Sequence, residues 1–230
     1  GNYFVVQTDD VNRRLRKWLN TDAVETVSNT FSSQYEHPVS EPLSFLLPSA
    51  DGNFRFLVFS SYYAHKNFEI LNLLAKLAKE NSIEDLRFIL TLPEADYHRV
   101  IFPENREIIQ NIGVISPEKG PQLYRECDAY FQPSLLECFS AGYAEAMQME
   151  KPILTSDLSF ARTVCKEAAL YFNPLDAGDA FKKLLQIKED ENLRNRLVEK
   201  GKRVKGKLNN AAERAEEYLK ICKRLMSQRI

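Results

Sequence analysis

Two glutamates eight residues apart, Glu137 and Glu145, are the side chains of this sequence best placed for polar chemistry. Glu137 follows an apolar strand predicted over 129–132, and Glu145 falls inside a helix predicted over 140–149. Ligands of open α/β sheets bind beyond the carboxyl ends of the strands, where the next helix offers free N–H groups to a phosphate. A carboxylate nearby can accept hydrogen bonds from sugar hydroxyls. This strand, loop and helix therefore predict a site for a ligand that carries phosphate and hydroxyl groups.

Strands and helices must alternate along the chain to bring such residues to one edge of a sheet. Apolar stretches rich in β-branched and aromatic residues predict strands over 55–60, 86–92, 112–115, 129–132, 152–155 and 170–172. Apolar residues three and four apart predict a helix capped by Asn67 and helices over 104–111, 121–127, 140–149 and 160–166. This alternation predicts an α/β fold, with a Rossmann-like parallel sheet flanked by helices.

The two ends of the chain fall outside this alternation. Residues 3–8 and 23–27 predict two short strands around an amphipathic helix. Residues 31–53 hold several prolines and serines, as is typical of a linker. From residue 177 the pattern is helical, and it finishes with an amphipathic helix over 211–226.

Composition indicates an ordinary globular protein. The formal net charge of the 230 residues is −1, so no field of the whole chain attracts it to nucleic acid or to a membrane. No apolar run approaches the roughly 20 residues that span a bilayer. The four cysteines are scattered without a C-x-x-C pair, which fits a reducing cytoplasm better than a disulfide framework or a zinc site. We therefore expect a cytoplasmic protein.

Four blocks of the sequence resemble one family. The run PSLLECFSAGYAEAMQMEKPI (133–153) is similar to the E-x7-E signature of the retaining glycosyltransferases of family 4, also called group 1. Residues 56–67 resemble the family's first strand and phosphate-binding loop, and residues 123–133 its step from helix to strand. Residues 156–174 resemble the segment after its sugar-binding helix. The blocks stand in the family's order and cover the chain from about Asn53 onward.

The resemblance implies a GT-B enzyme that moves a hexosyl group, with retention, from a nucleotide-diphosphate sugar to a hydroxyl acceptor. The enzyme would act in the synthesis of cell-surface polysaccharide or lipopolysaccharide. The transfer would need neither a metal nor a cofactor. Residues 1–30 would be the remainder of an N-terminal acceptor domain that is Rossmann-like, and 31–53 a linker. Residues 54–210 would form the nucleotide-sugar-binding domain, and 211–230 a helix that crosses back. Because Gly1 stands where a methionine would begin, we expect a fragment that is inactive alone.

Site residues carry over from the family one at a time. Glu145 would hold the ribose hydroxyls, Glu137 would touch the donor sugar, and Lys66 would neutralise the diphosphate leaving group. Lys66 and Glu137 are thus the catalytic candidates. Backbone N–H groups at the start of the helix would meet the diphosphate or the sugar, at Phe139, Ser140 and Ala141. The remaining donor-binding candidates lie at strand ends: Ser60, Ser61, Thr91, Val114 and Ile115.

Each candidate has a structural alternative. Glu145 could be an exposed helix position, Glu137 could complement the charge of a helix N terminus, and Lys66 could be solvated. Ser60 and Ser61 could simply form a turn. The other three strand-end residues could pack against their neighbours.

The sequence departs from the family pattern at four positions. Ser61 replaces an arginine that usually precedes the lysine, which leaves one cation fewer for the leaving group. Cys138, Ser140 and Glu150 replace glycines, which permit positive φ and close backbone approach. Two other functions therefore stay open: a nucleotide-sugar-binding module with weakened catalysis, and a GT-B nucleotide-sugar epimerase. An epimerase would need acid and base groups, and histidines are scarce near the motifs.

The expected partners follow from the same resemblance. They are a nucleotide sugar, a sugar or lipid-linked acceptor and the missing N-terminal domain. The basic stretch 200–207 is flanked by acids and lacks aromatic residues for base stacking, so no nucleic acid is expected. A weak peripheral contact of this stretch with the inner membrane is the alternative to full solvation.

Overall fold

The computed structural model describes residues 2–36, 46–48 and 52–227, and its centre is a parallel β-sheet. The strands are β1 (Phe4–Val6), β2 (Val24–Thr26), β3 (Phe54–Val58), β4 (Leu86–Leu90), β5 (Ile109–Asn111), β6 (Ala129–Gln132), β7 (Ile153–Ser156) and β8 (Ala169–Phe172). Six of them form one sheet in the order β5-β4-β3-β6-β7-β8, and every neighbouring pair is parallel. The other two, β1 and β2, pair in parallel with each other.

Helices connect these strands, because a parallel pair needs a crossover between its members. They are α1 (Asp9–Leu19), α2 (Ile70–Glu80), α3 (Glu94–Val100), α4 (Gly120–Arg125), α5 (Ala141–Gln148), α6 (Ser159–Cys165), α7 (Ala177–Glu189), α8 (Glu191–Lys205) and α9 (Ala211–Ser227). None of the helices in the described ranges is long and apolar enough to cross a membrane. The predicted α/β fold, a parallel sheet flanked by helices, is confirmed.

Successive residues of the central strand β3 face two separate cores. Phe56 belongs to a cluster that α2 and α7 complete, with the rings of Phe88 and Phe131 centred 6.0 and 6.4 Å away. Leu57 belongs to the cluster on the opposite side, together with residues of α4, α5 and α6 such as Tyr143. Side chains alternate between the two faces of a strand, and a strand covered on both faces is apolar throughout. The continuous apolar runs of the sequence predict these strands for that reason.

The helix predicted over 104–111 is wrong. Pro103–Asn105 forms a single 3-10 turn, and the edge strand β5 follows it. Ile108 and Ile109 are both buried beside β4. A pair of neighbouring apolar residues looks the same in a short helix and in a short strand, so the pattern could not distinguish them.

The strand predicted over 112–115 is wrong for a related reason. Pairing with β4 ends at Asn111, and Gly113 then turns the chain with a φ of 75°. Helix α3 occupies residues that no predicted element covered.

Asn67 does not cap α2 as the sequence predicts. It ends a 3-10 turn over Ala64–Lys66 with a φ of 56°, and α2 begins only at Ile70. Its side-chain amide donates to the carbonyls of Pro133 and Pro174, at 3.2 and 3.4 Å. Asparagine enters the left-handed region more readily than other residues with a side chain, which suits this sharp change of direction.

The segment β1-α1-β2 contacts the loop after β6 and the start of α6, both beyond the carboxyl edge of the large sheet. Oγ1 of Thr8 donates to the carbonyl of Cys138 at 3.2 Å, and Oγ of Ser159 donates to Asp10 at 2.9 Å. Gly1 lies outside the described residues, as do positions 37–45 and 49–51 of the predicted linker and positions 228–230 of the predicted C-terminal helix.

Candidate functional site

The order of the strands reverses between β3 and β6. The chain leaves β3 toward β4 on one side, and it leaves β6 toward β7 on the other. A crevice opens at such a point beyond the carboxyl ends of the strands, and it is where open α/β sheets bind ligands. Lys66 lies in the loop after β3 and Glu137 in the loop after β6. The topology therefore brings these two predicted site residues to one place.

Lys66 and Glu137 bind each other at this crevice. Nζ of Lys66 lies 2.5 Å from Oε1 of Glu137, and the two side chains are 16% and 11% exposed. Sequence reasoning gave them separate partners, a diphosphate and a sugar, and missed this contact. The ammonium keeps two further donors and the carboxylate keeps its second oxygen. A ligand in the crevice can therefore engage both groups, or exchange with one of them.

The backbones of the two loops are joined as well. The N–H of Leu135 donates to the carbonyl of His65 at 2.7 Å. The Asn67 amide contributes its bond to Pro133 on the same loop. These bonds fix the backbone on both sides of the Lys66–Glu137 pair.

A buried amide stands behind the pair, and sequence reasoning missed it. Nε2 of Gln132 donates to Oε1 of Glu137 at 3.1 Å and lies 2.8 Å from Oγ of Ser140. The hydroxyl of Tyr130 donates to Oε1 of Gln132 at 2.7 Å. A signal was present in the sequence, because Gln132 ends the otherwise apolar strand AYFQ and buried polar groups need partners.

The loop into α5 has an uncommon backbone. Ser140 precedes the helix with a φ of 61°, in a region that is unfavourable for a residue with a side chain by roughly 1 kcal/mol. Glu150, at another position where the family has glycine, has a φ of 55°. The side chain of Ser140 does not cap α5, so the partial positive charge of the first-turn N–H groups is left without that partner. Ala141 opens the helix, and the ring of Phe139 is buried beneath the loop.

Glu145 lies on α5 between two tyrosines. The hydroxyl of Tyr124 donates to its Oε2 at 3.4 Å, and the hydroxyl of Tyr35 donates to the same carboxyl group. Burial raises the pKa of Glu145, and the two phenol hydrogen bonds oppose that increase. Gly120 leaves room for this arrangement, since a Cβ there would lie 2.3 Å from Oη of Tyr35. Glu145 is therefore not an exposed helix position, and no sequence pattern indicated Tyr35 as its neighbour.

Replacing Glu145 by glutamine is expected to raise the melting temperature at pH 7. The pKa of Glu145 in the fold lies above the ordinary value of 4.5, so folding disfavours the ionised form. The stability that protonation contributes is complete below pH 4.5 and is lost as the pH rises through the raised pKa. The Glu145→Gln variant should therefore exceed the wild type at pH 7, and the difference should disappear below pH 4.5.

Thermal unfolding followed by circular dichroism from pH 4 to pH 8 tests this. Glu80→Gln is the matched control, because Glu80 is exposed on α2 and pairs with Lys76 only at 3.7 Å. Its substitution should change little at any pH. A Glu145→Gln variant that melts below the wild type at pH 7 would contradict the prediction.

The predicted strand-end residues divide into two groups. Ser60 lines a small cavity together with Lys66, Gln132 and Ser134, between the ends of β3 and β6. Ser61, the next residue, is exposed. The second group does not line this cavity: Thr91 is buried after β4, Val114 is 72% exposed and Ile115 is partly buried after β5.

Known proteins resemble this chain in sequence and in fold. The family model described as glycosyl transferases group 1 matches residues 41–204, more than half of the chain. No curated protein sequence matches the chain significantly.

Solved structures show the same architecture. A glycosyltransferase from Rickettsia africae ESF-5 matches with a TM-score of 0.81 and 16% identity, covering 98% of this chain and 64% of that one. An α,α-trehalose-phosphate synthase (UDP-forming) from Burkholderia vietnamiensis matches with a TM-score of 0.78 and 13% identity, covering 96% and 62%. Sucrose-phosphate synthase from Thermosynechococcus elongatus matches with a TM-score of 0.76 and 18% identity, covering 97% and 58%.

At identities of 13–18%, these structural matches show a shared fold. This chain spans about three fifths of the length of the three solved structures.

Proposed function

The chain belongs to the group 1 glycosyl transferases, and from this membership we propose that it is the donor-binding part of a retaining hexosyltransferase of family 4. The donor would be a nucleotide-diphosphate sugar. The observation that carries the proposal is the Lys66–Glu137 pair, which places a cation and a carboxylate together where the strand order reverses. A diphosphate needs the cation, and a sugar hydroxyl needs the carboxylate.

The donor would lie across the crevice from β3 toward α5. Lys66 and the first-turn N–H groups of α5 would stabilise the negative charge that grows on the departing nucleoside diphosphate. Glu137 would orient the sugar, and Glu145 would accept hydrogen bonds from the ribose. Ser60 would contact the phosphate end of the donor, because it lines the same small cavity as Lys66.

The transfer itself would exchange one bond of the sugar for another. The bond from the anomeric carbon to the phosphate oxygen breaks, and a bond from that carbon to the acceptor oxygen forms on the same face. The acceptor hydroxyl gives its proton to the departing phosphate. No side chain of this chain is needed as a base in this scheme, and neither a metal nor a cofactor takes part.

The acceptor would be held by the rest of the enzyme. We assign residues 1–30 to an acceptor domain, 31–53 to a linker, 54–210 to the donor domain and 211–230 to a C-terminal segment whose helix α9 would return to the acceptor domain. A sugar or lipid-linked acceptor at the cytoplasmic side of the inner membrane would suit a role in cell-surface polysaccharide synthesis. The basic stretch 200–207 would then face that membrane.

Weakened catalysis is the second candidate function, and two residues favour it. Ser61 supplies no cation to the crevice, and Ser140 holds a positive φ where a glycine would be relaxed. A module of this kind would still bind the nucleotide sugar.

Calorimetry with UDP, GDP and ADP tests the proposed function. The chain should bind one of the three selectively, and Glu145→Gln should lower that affinity about tenfold, the loss of one charge-assisted hydrogen bond. Glu80→Gln should leave it unchanged. Absence of binding to all three diphosphates would overturn the proposal for this chain.

A further inference from the structure

Gln132 occupies a place in the candidate site that none of the residues named for donor binding or transfer shares. It ends β6 directly below the Lys66–Glu137 pair, and its side chain is buried. A buried primary amide has two donors and one acceptor oxygen to satisfy. The donors face Oε1 of Glu137 and Oγ of Ser140, at 3.1 and 2.8 Å. The oxygen accepts from Oη of Tyr130 at 2.7 Å, and Oγ of Ser140, 3.1 Å away, can also donate to it.

The partners of Gln132 determine which way its amide points. An ionised carboxylate only accepts hydrogen bonds, so the amide nitrogen must face Glu137, and the amide oxygen then accepts from the Tyr130 hydroxyl. Tyr130 is itself held in place, since it is fully buried and its ring stands 5.7 Å from that of Tyr124. Gly142 has no Cβ to displace the Tyr130 hydroxyl, because a Cβ there would lie 2.1 Å from Oη. Glu137 thus determines which end of the amide is the nitrogen, and the fixed ring of Tyr130 holds the oxygen in place.

We infer that Gln132 is a positioning residue for the donor sugar, acting through Glu137 and Ser140. By binding Oε1, the atom that Lys66 also binds, it leaves Oε2 of Glu137 as the oxygen directed to a ligand. By bonding Oγ of Ser140, it holds the loop in its positive-φ conformation at the start of α5. The inference rests on the proposed function, because it names how the sugar half of that donor is selected.

The test separates the sugar from the nucleotide. The probes are UDP, GDP and ADP, each paired with UDP-glucose, GDP-mannose or ADP-glucose, and the quantity measured is the ratio of the two affinities. Gln132→Met should lower the relative affinity for the nucleotide sugar at least fivefold and change the affinity for the diphosphate alone less than twofold. Gln132→Glu keeps acceptors for Tyr130 and Ser140 but removes the donor to Glu137, so it should cause the same loss.

A double-variant cycle shows whether Gln132 acts through Glu137. Glu137→Gln alone should lower the same ratio, and adding Gln132→Met should lower it little further. Tyr97→Phe is the matched control, since it removes a buried hydroxyl from α3 whose partner, at 2.6 Å, is the carbonyl of Ile109 on the edge strand β5. The control should leave the ratio unchanged. Losses that multiply independently, or an unchanged ratio in both Gln132 variants, would overturn the inference.

A measurement without ligand distinguishes this failure from failure of the proposed function. If the wild type binds none of the six probes, the donor proposal fails, and the link from Gln132 to Glu137 is then judged by urea unfolding. The urea midpoint of the combined variant should fall by less than the sum of the two single shifts. A shift of the combined variant equal to the sum of the two single shifts would show that the two side chains are energetically independent. The inference would then fall with the donor proposal.

Discussion

Replacing Lys66 by methionine is expected to lower the free energy of unfolding by on the order of 3 kcal/mol and to abolish diphosphate binding. The stability loss has a simple cause. Glu137 is 11% exposed, and without Lys66 its charge would stay largely desolvated beside an amide alone. Removing one partner of such a pair is more harmful than removing both. Urea unfolding and calorimetry with the preferred diphosphate measure the two effects.

Two further variants show which part of the effect belongs to the site. The combined change Lys66→Met with Glu137→Gln should recover most of the lost stability and none of the binding. Lys76→Met is the matched control, because Lys76 is exposed on α2 and its pair with Glu80 is long. If the free energy of unfolding of Lys66→Met equals that of the wild type, the Lys66–Glu137 pair does not persist in solution. The proposal that this pair binds the donor would then be wrong.

Replacing Ser61 by arginine is expected to tighten diphosphate binding between tenfold and about a hundredfold. Ser61 is exposed on the loop after β3 that carries Lys66. A guanidinium at this position can therefore reach the diphosphate that we propose Lys66 binds. A charge-assisted hydrogen bond contributes about 1.5–3 kcal/mol, and each 1.4 kcal/mol is a factor of ten in affinity. Calorimetry at two salt concentrations checks the result, since an added cation should also make binding more sensitive to salt.

The control for this prediction is Ser61→Met, which adds length without charge. Equal affinities of the arginine and methionine variants would show that a cation at position 61 does not meet the diphosphate. In the whole enzyme, a higher transfer rate with arginine would indicate an active site that the serine weakens. No transfer in either form would favour the role of a binding module.

The architecture could be predicted because it depends on patterns that are local in the sequence. Strands β3, β4 and β6 are buried on both faces, so their apolar character is visible without knowledge of their neighbours. Strand β5 was misplaced because it has three residues and lies at the sheet edge, where the pattern is short. Asn67 was misread because its bonding partners, Pro133 and Pro174, are far away in the chain.

In the candidate site too, the residues could be predicted from local sequence patterns, whereas their contacts with distant residues could not. Lys66, Glu137 and Glu145 are predicted individually because they occupy fixed places in a motif. The contacts that these residues make could not be predicted. The pairing of Lys66 with Glu137 depends on the distance between two loops that follow different strands. Gln132 could be noticed as a polar residue in an apolar strand, but its partners could not be named from the sequence.

The hydroxyl of Tyr35 has a consequence for the chain outside the crevice. Tyr35 lies in the 3-10 turn Ser33–Tyr35, which follows β2 in the part of the chain that we propose as a linker, and its phenol donates to the carboxyl group of Glu145. Its backbone carbonyl also accepts from Nε2 of Gln148, at 2.9 Å on the same helix. Any ligand that competes for Glu145 changes the docking of this segment, and reciprocity requires that the docking changes ligand affinity by the same factor. Under the proposed function, the docking of this segment on α5 and the occupancy of the nucleotide site would therefore change together.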